Sequence, residues 1–153
     1  MRHGQASMYA ENDQARQLTK QGCQEVSLMA QYLNQQQVKL DQVFVSPYVR
    51  AQQSAKQLLA QLAVDVPCQT LDLITPSGKA SLVHDYLDAV CLENNFNNIL
   101  LVSHMPFVAN LVASLTLDNQ TPIFETAAIA EIIYDQEKMA GQLNKIVCPH
   151  QLI

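Results

Sequence analysis

Three short segments of this sequence hold residue types suited to phosphoryl chemistry: Arg2-His3-Gly4, Ser46-Pro47-Tyr48-Val49-Arg50 and Ser103-His104-Met105-Pro106. Moving a phosphoryl group asks a protein for an in-line nucleophile and for positive charge around three oxygens, and for little else. A neutral imidazole can be that nucleophile, forming a covalent phosphohistidine that water then hydrolyses. The planar fork of a guanidinium matches phosphate oxygens, and each charge-assisted hydrogen bond contributes about 1.5 to 3 kcal/mol. A second imidazole, if protonated, donates to the transferring group and stabilises the charge that develops on it.

For these residues to meet, elements of secondary structure must bring them to one place. Thr19 is a candidate N-cap for a helix over about residues 20 to 36, where Cys23, Val26, Met29, Ala30 and Leu33 recur at helical spacing. The apolar run 41–46 reads as a strand. Pro47 suits the first turn of a following helix, with Ala51, Ala55, Leu58, Leu59 and Leu62 as its buried stripe. Residues 77–93 repeat the helical pattern through Leu82, Val83, Tyr86, Leu87 and Val90. The run 98–103 is apolar without alternation, as in a strand covered on both faces. A helix over 107–117 follows, then strands over 127–134 and 143–147 separated by the turn region Asp135-Gln136-Glu137-Lys138. Alternating strands and helices predict an α/β fold: a three-layer sandwich with a mainly parallel central sheet and helices on both faces. Such sheets bind ligands beyond the carboxyl ends of their strands, which is where Arg50 and His104 fall.

The 153 residues suit one domain spanning 1–153, with neither repeat nor linker. Hydrophobic residues make up 48% and charged residues 15%, which excludes disordered and fibrous classes. A net charge of -5 without a Lys/Arg cluster argues against nucleic acid as a partner. No apolar run reaches the roughly 20 residues of a membrane span, and the first ten residues lack the apolar core of a signal peptide, so no membrane partner and a cytoplasmic location are expected. Cys23, Cys68, Cys91 and Cys148 are far apart and form no CxxC, so they read as reduced thiols. No His/Cys/Asp/Glu grouping has metal-ligand spacing, and His84 and His150 read as structural.

Arg2-His3-Gly4, then Leu18-Thr19 with Gly22, then Ser46-Pro47-Tyr48-Val49-Arg50-Ala51, then Ser103-His104 follow in order the motifs of the histidine phosphatase (phosphoglycerate mutase-like) superfamily. Within it the chain resembles the SixA-type phosphohistidine phosphatases, including Leu-Thr-x-x-Gly-Cys at 18–23 and Thr-Pro-x-Gly at 75–78. The resemblance runs over nearly the whole length. It implies His3 as the phosphoryl-accepting nucleophile and His104 as the second catalytic histidine. It further implies Arg2, Arg50 and Arg16 around the phosphate, and no metal or other cofactor. Gly4, lacking a side chain, lets the backbone approach the phosphate. A partner for the second ring nitrogen of His3 is needed to fix its tautomer, and the sequence does not identify it.

The chain departs from the family in two places. Many relatives protonate a departing alkoxide with a carboxylic acid, and where SixA-like sequences can have Glu this chain has Leu73, leaving Asp72, one residue away, as the candidate acid. A phosphorylated imidazole leaves as a group whose conjugate acid has a pKa near roughly 6.5, so phosphohistidine needs that acid far less than a phosphate ester does. Arg50 and His104 are also only 54 positions apart, too few for an inserted helical lid, and an open cleft could admit a histidine displayed on a protein. The resemblance therefore implies, as substrate, a phosphohistidine on a signalling protein such as a phosphotransfer domain of a histidine kinase. A small-metabolite phosphomonoesterase or mutase, and a module that binds phosphohistidine without turnover, remain the alternatives. Secondly, the family places a short apolar strand before Arg-His-Gly, and here only Met1 precedes it. The expectation is a sheet lacking that strand.

Overall fold

The computed structural model describes all residues from Met1 to Ile153. At its centre is β1 (Gln42–Val45), every residue of which is buried. It pairs in parallel with β2 (Cys68–Thr70) on one edge and with β3 (Ile99–Val102) on the other. Because side chains alternate along a strand, Val43, Val45, Leu100 and Val102 enter one apolar cluster and Phe44 enters another. The first cluster is closed by α1 (Lys20–Gln35) and α2 (Val49–Leu59) through Val26, Met29, Leu33, Ala55 and Leu58. The second is closed by α3 (Ala80–Asn94) and α4 (Phe107–Leu115) through Val83, Leu87, Phe107, Leu111 and Val112. Helices thus cover both faces of a parallel sheet, which is why β1 carries no polar alternation.

A second, antiparallel pair, β4 (Ile129–Asp135) with β5 (Ala140–Val147), is joined to β3 through the first three residues of the chain. Arg2 bridges Ser103 in parallel. His3 N–H donates to Ser103 O at 2.9 Å and Ser103 N–H to Met1 O at 3.0 Å, while Arg2 N–H donates to Ala128 O and Ala127 N–H to His3 O, each at 3.0 Å. Met1 to His3 therefore occupy the place between β3 and β4. Alongside them, between the same two strands, runs a groove of about 1210 Å³ lined by Ile99, Leu101, Leu111, Phe124 and Ile129 among others. The Met1 amino group at its end donates to Leu101 O at 2.8 Å, and burial pushes its pKa down to about 5. No helix is long and apolar enough to cross a membrane.

Several local expectations need correction. Thr19 does cap α1, its hydroxyl accepting from Gly22 N–H at 3.0 Å, but Pro47 precedes the N-cap Tyr48 of α2 instead of entering its first turn. Leu62 lies beyond the end of α2, whose buried face includes Arg50 and Ser54, two polar residues that a hydrophobic stripe does not reveal. α3 begins at Ala80, not 77, and Leu82 is 51% exposed because Val83 and Leu87 set its inward face. β2 was not anticipated as a separate strand; its three exposed residues carry no apolar signal.

Candidate active site

The site lies where the sheet's parallel strands end. His3 terminates the N-terminal segment, Ser46 follows β1 directly, Arg50 stands in the first turn of α2, and His104 lies two residues beyond β3. The rings of His3 and His104 are 5.1 Å apart between centroids. His3 Nδ1 hydrogen-bonds the carbonyl oxygen of Gly4 at 2.7 Å. A carbonyl only accepts, so Nδ1 carries the proton and Nε2 the lone pair. Arg50 Nε donates to that lone pair at 3.1 Å. The acceptor that the sequence could not name is thus the next residue's own backbone.

His104 Nε2 and Ser46 Oγ share a hydrogen bond of 2.7 Å, while His104 Nδ1 is buried without a protein partner. Ser46 Oγ also accepts from Tyr48 N–H at 3.4 Å, so the hydroxyl proton is free to point at the imidazole. Tyr48 stacks its edge against His104 at 5.0 Å and carries the Arg50 guanidinium at 5.1 Å over its ring. Of the other arginines, Arg2 donates through one terminal nitrogen to Phe124 O at 2.7 Å and keeps a buried Nε without a partner. Arg16 Nε donates to Ser7 O at 2.7 Å.

Asp13 is a site residue that sequence reasoning missed. Its carboxylate accepts from Arg50 at 3.0 Å and from Arg16 at 3.2 Å, bridging two of the expected phosphate ligands. Partial burial pushes its pKa up, but the hydrogen bonds from Arg50 and Arg16 prevail and hold the carboxyl below the usual range. It sits in a polar stretch without periodicity, so no sequence signal singled it out.

Both histidines are neutral at pH 7. Burial, then the nearby Arg50, Arg2 and Arg16, push His3 down to about 4 against the opposing Gly4 hydrogen bond. Burial, then His3 and Arg50, push His104 down to about 3. Burial is also the first cause of a lowered pKa at Arg2, followed by repulsion from Arg16 and Arg50, while Glu25 opposes. Three guanidinium groups gathered beside His3 outnumber the carboxylates of Asp13 and Glu25, and the positive charge in excess suits an anion.

Gly4 is required by its packing against α1. A Cβ there would lie 2.5 Å from Gly22 O in α1, and one on Gly22 would lie 2.1 Å from Gln5 O. The two glycines let the chain after His3 run against the first turn of α1, and Gly4 N–H is held by Ser54 Oγ at 3.0 Å. Asp72 takes part in none of the hydrogen bonds or ion pairs of the site. It lies exposed in a turn after β2, where Leu71 and Ile74 point inward and Leu73 is 40% exposed. Ser103 Oγ donates to Ile74 O and fixes that turn.

His84 is tied to Ser114, Tyr134 and Asp88 between α3, α4 and β4, away from this site. His150 contacts Glu125, and these two converge with Cys148, a grouping that spacing along the chain had not suggested.

Residues 1–74 match the family described as histidine phosphatase superfamily (branch 1). Phosphohistidine phosphatase SixA of Escherichia coli (strain K12) is 39% identical over 152 residues, covering 99% of this chain and 93% of the relative. The SixA homolog of Haemophilus influenzae is 37% identical over 145 residues, covering 90% and 88% respectively. A solved structure of the protein histidine phosphatase SixA complexed with tungstate superimposes with a TM-score of 0.95 at 37% identity, covering 100% of this chain and 97% of that one.

Proposed function

The chain belongs to the histidine phosphatase superfamily, and from that membership and its site geometry we propose that it is a phosphohistidine phosphatase whose nucleophile is His3 Nε2. The observation that carries this reading is the fixed tautomer of His3, whose Nδ1 proton is given to Gly4 O while Nε2 keeps its lone pair beside Arg50.

In the first step Nε2 attacks phosphorus in line, a P–N bond forms to His3, and the P–N bond to the substrate imidazole breaks. The substrate imidazole, already protonated on its other ring nitrogen, departs as neutral imidazole, a weak base that needs no dedicated acid at the nitrogen it leaves from. Arg2, Arg50 and Arg16 hold the phosphoryl oxygens, and Asp13 is displaced from Arg50 and Arg16 as they engage. His104, its ring 5.1 Å from that of His3 and hydrogen-bonded to Ser46 Oγ, stands beside the transferring group. Water then attacks phospho-His3, inorganic phosphate departs, and the imidazole is restored. None of these roles calls for a metal or cofactor.

The substrate we assign is a phosphohistidine displayed by a signalling protein, such as the phosphotransfer domain of a two-component phosphorelay. SixA of Escherichia coli, to which the chain is similar, is itself a phosphohistidine phosphatase. The free thiols Cys23, Cys68, Cys91 and Cys148 support a reducing cytoplasm as the compartment.

The test is phosphate release from a phosphohistidine-bearing phosphotransfer domain, comparing the parent with His3→Ala at equal folded concentration. Release by the parent alone supports the reading. Inactivity of both, while folded, overturns the catalytic claim and leaves a binding module.

A further inference from the structure

Behind the site, the segment 124–128 that supports Arg2 and His3 meets the end of the chain. Phe124 O takes the Arg2 guanidinium, and Ala127 and Ala128 bond the backbones of His3 and Arg2. Glu125 in the same segment faces Cys148 and His150, which follow β5 on either side of the buried Pro149. One ligand atom from each of the three residues lies within 4.8 Å of the others.

We propose that Glu125, Cys148 and His150 form a binding site for one zinc ion, with a fourth position open to water. The donor set is the first argument: a thiolate, an imidazole nitrogen and a carboxylate together suit Zn²⁺ and disfavour the hard cations Mg²⁺ and Ca²⁺. The second is distance. Tetrahedral bonds of about 2.0 to 2.3 Å place ligand atoms about 3.3 to 3.8 Å apart, so side chains now within 4.8 Å need close by only about 1 Å. Glu125 and His150, both more than half exposed, have room for that rotation, and their atoms already stand 2.8 Å apart.

The third argument is the support around the sulfur. Cys148 Sγ accepts a hydrogen bond from Gln151 N–H, and the Gln151 side chain returns one to Cys148 N–H at 2.9 Å. A backbone donor aimed at sulfur is what holds a metal-bound thiolate in place. Pro149 restricts the backbone between the two ligands, so the Cys148 and His150 side chains are presented together. Without metal, burial and the neighbouring Glu125 carboxylate keep the thiol protonated. Binding as a thiolate therefore expels the thiol proton, and affinity rises with pH.

The experiment is a Zn²⁺ titration of the full chain under reducing conditions by calorimetry, with Co²⁺ as a spectroscopic probe. One equivalent of Zn²⁺ should bind, and Co²⁺ should give a thiolate charge-transfer band. His150→Ala, at an exposed position, should weaken binding about 10- to 100-fold while leaving the fold intact. Cys148→Ser should abolish the cobalt band, whereas Cys68→Ser should leave it. Absence of stoichiometric Zn²⁺ binding by the parent overturns the proposal. So does binding that survives His150→Ala undiminished, or a cobalt band that follows Cys68.

Discussion

Arg50 Nε and His3 Nε2 are joined by a 3.1 Å hydrogen bond at the floor of the site, with both side chains nearly excluded from solvent. The same guanidinium reaches Asp13 through its terminal nitrogens, so one arginine orients the nucleophile and holds an anion. Arg50→Lys keeps the charge but loses the fork. We expect its turnover of phosphohistidine to fall by about 10² to 10³, the loss seen when one charge-stabilising donor is removed. Steady-state phosphate release, with thermal unfolding as a check on the fold, measures this; retained turnover would remove Arg50 from the chemistry.

Stability should fall on mild acidification. An unfolded histidine titrates near about 6.5, whereas burial holds His3 down to about 4 and His104 down to about 3. The unfolded state therefore binds more protons below pH 6.5, and stability, complete above that value, is lost as pH falls toward 4 and then 3. Each histidine contributes a slope of up to about 1.4 kcal/mol per pH unit in that window. Urea midpoints between pH 7.5 and 4.5 test this, and in His104→Ala the slope should be shallower, with His3 and the Met1 amino group supplying what remains.

Gly4→Ala and Gly22→Ala each drive a methyl group into backbone, at 2.5 Å and 2.1 Å. Backbone yields less readily than a side-chain end, so a loss of about 1 to 3 kcal/mol is expected from each. The Gly4 variant should also lose activity beyond its unfolded fraction, because Gly4 O fixes the His3 tautomer. Chemical denaturation and activity per folded molecule separate the two effects.

Asp13 competes with any incoming oxyanion for Arg50 and Arg16. Asp13→Asn removes that competitor, and inhibition by inorganic phosphate or tungstate should tighten severalfold. Weaker inhibition would instead make Asp13 an aid that holds the guanidinium groups in place.

Extending the chain ahead of Met1 by about five apolar β-formers should raise both thermal stability and turnover. The added residues would continue Met1 to His3 along the groove beside Ile99 and Leu101, and would remove a buried amino group. An unchanged unfolding temperature would show that the groove does not accept a strand.

Much of the site was legible because its residues follow strands. Apolar runs located β1 and β3, and polar residues within two positions of their ends, Ser46 and His104, meet in a hydrogen bond. Motif order added Arg2 and His3, which spacing alone could not bring to the sheet. Asp13 was invisible since its partners lie 3 and 37 positions away and a polar stretch has no period. The orientation of Asp72 was not legible because it lies in a turn, where residues follow no fixed period. The constraint on Gly4 from α1 was not legible, being a tertiary contact that one-dimensional reading does not contain.

β3 pairs only with β1, and β4 only with β5, except where the first three residues bridge them. The two sheets are therefore coupled through the same three residues that carry Arg2 and the nucleophile, so any displacement of one sheet against the other is passed directly to the ring of His3.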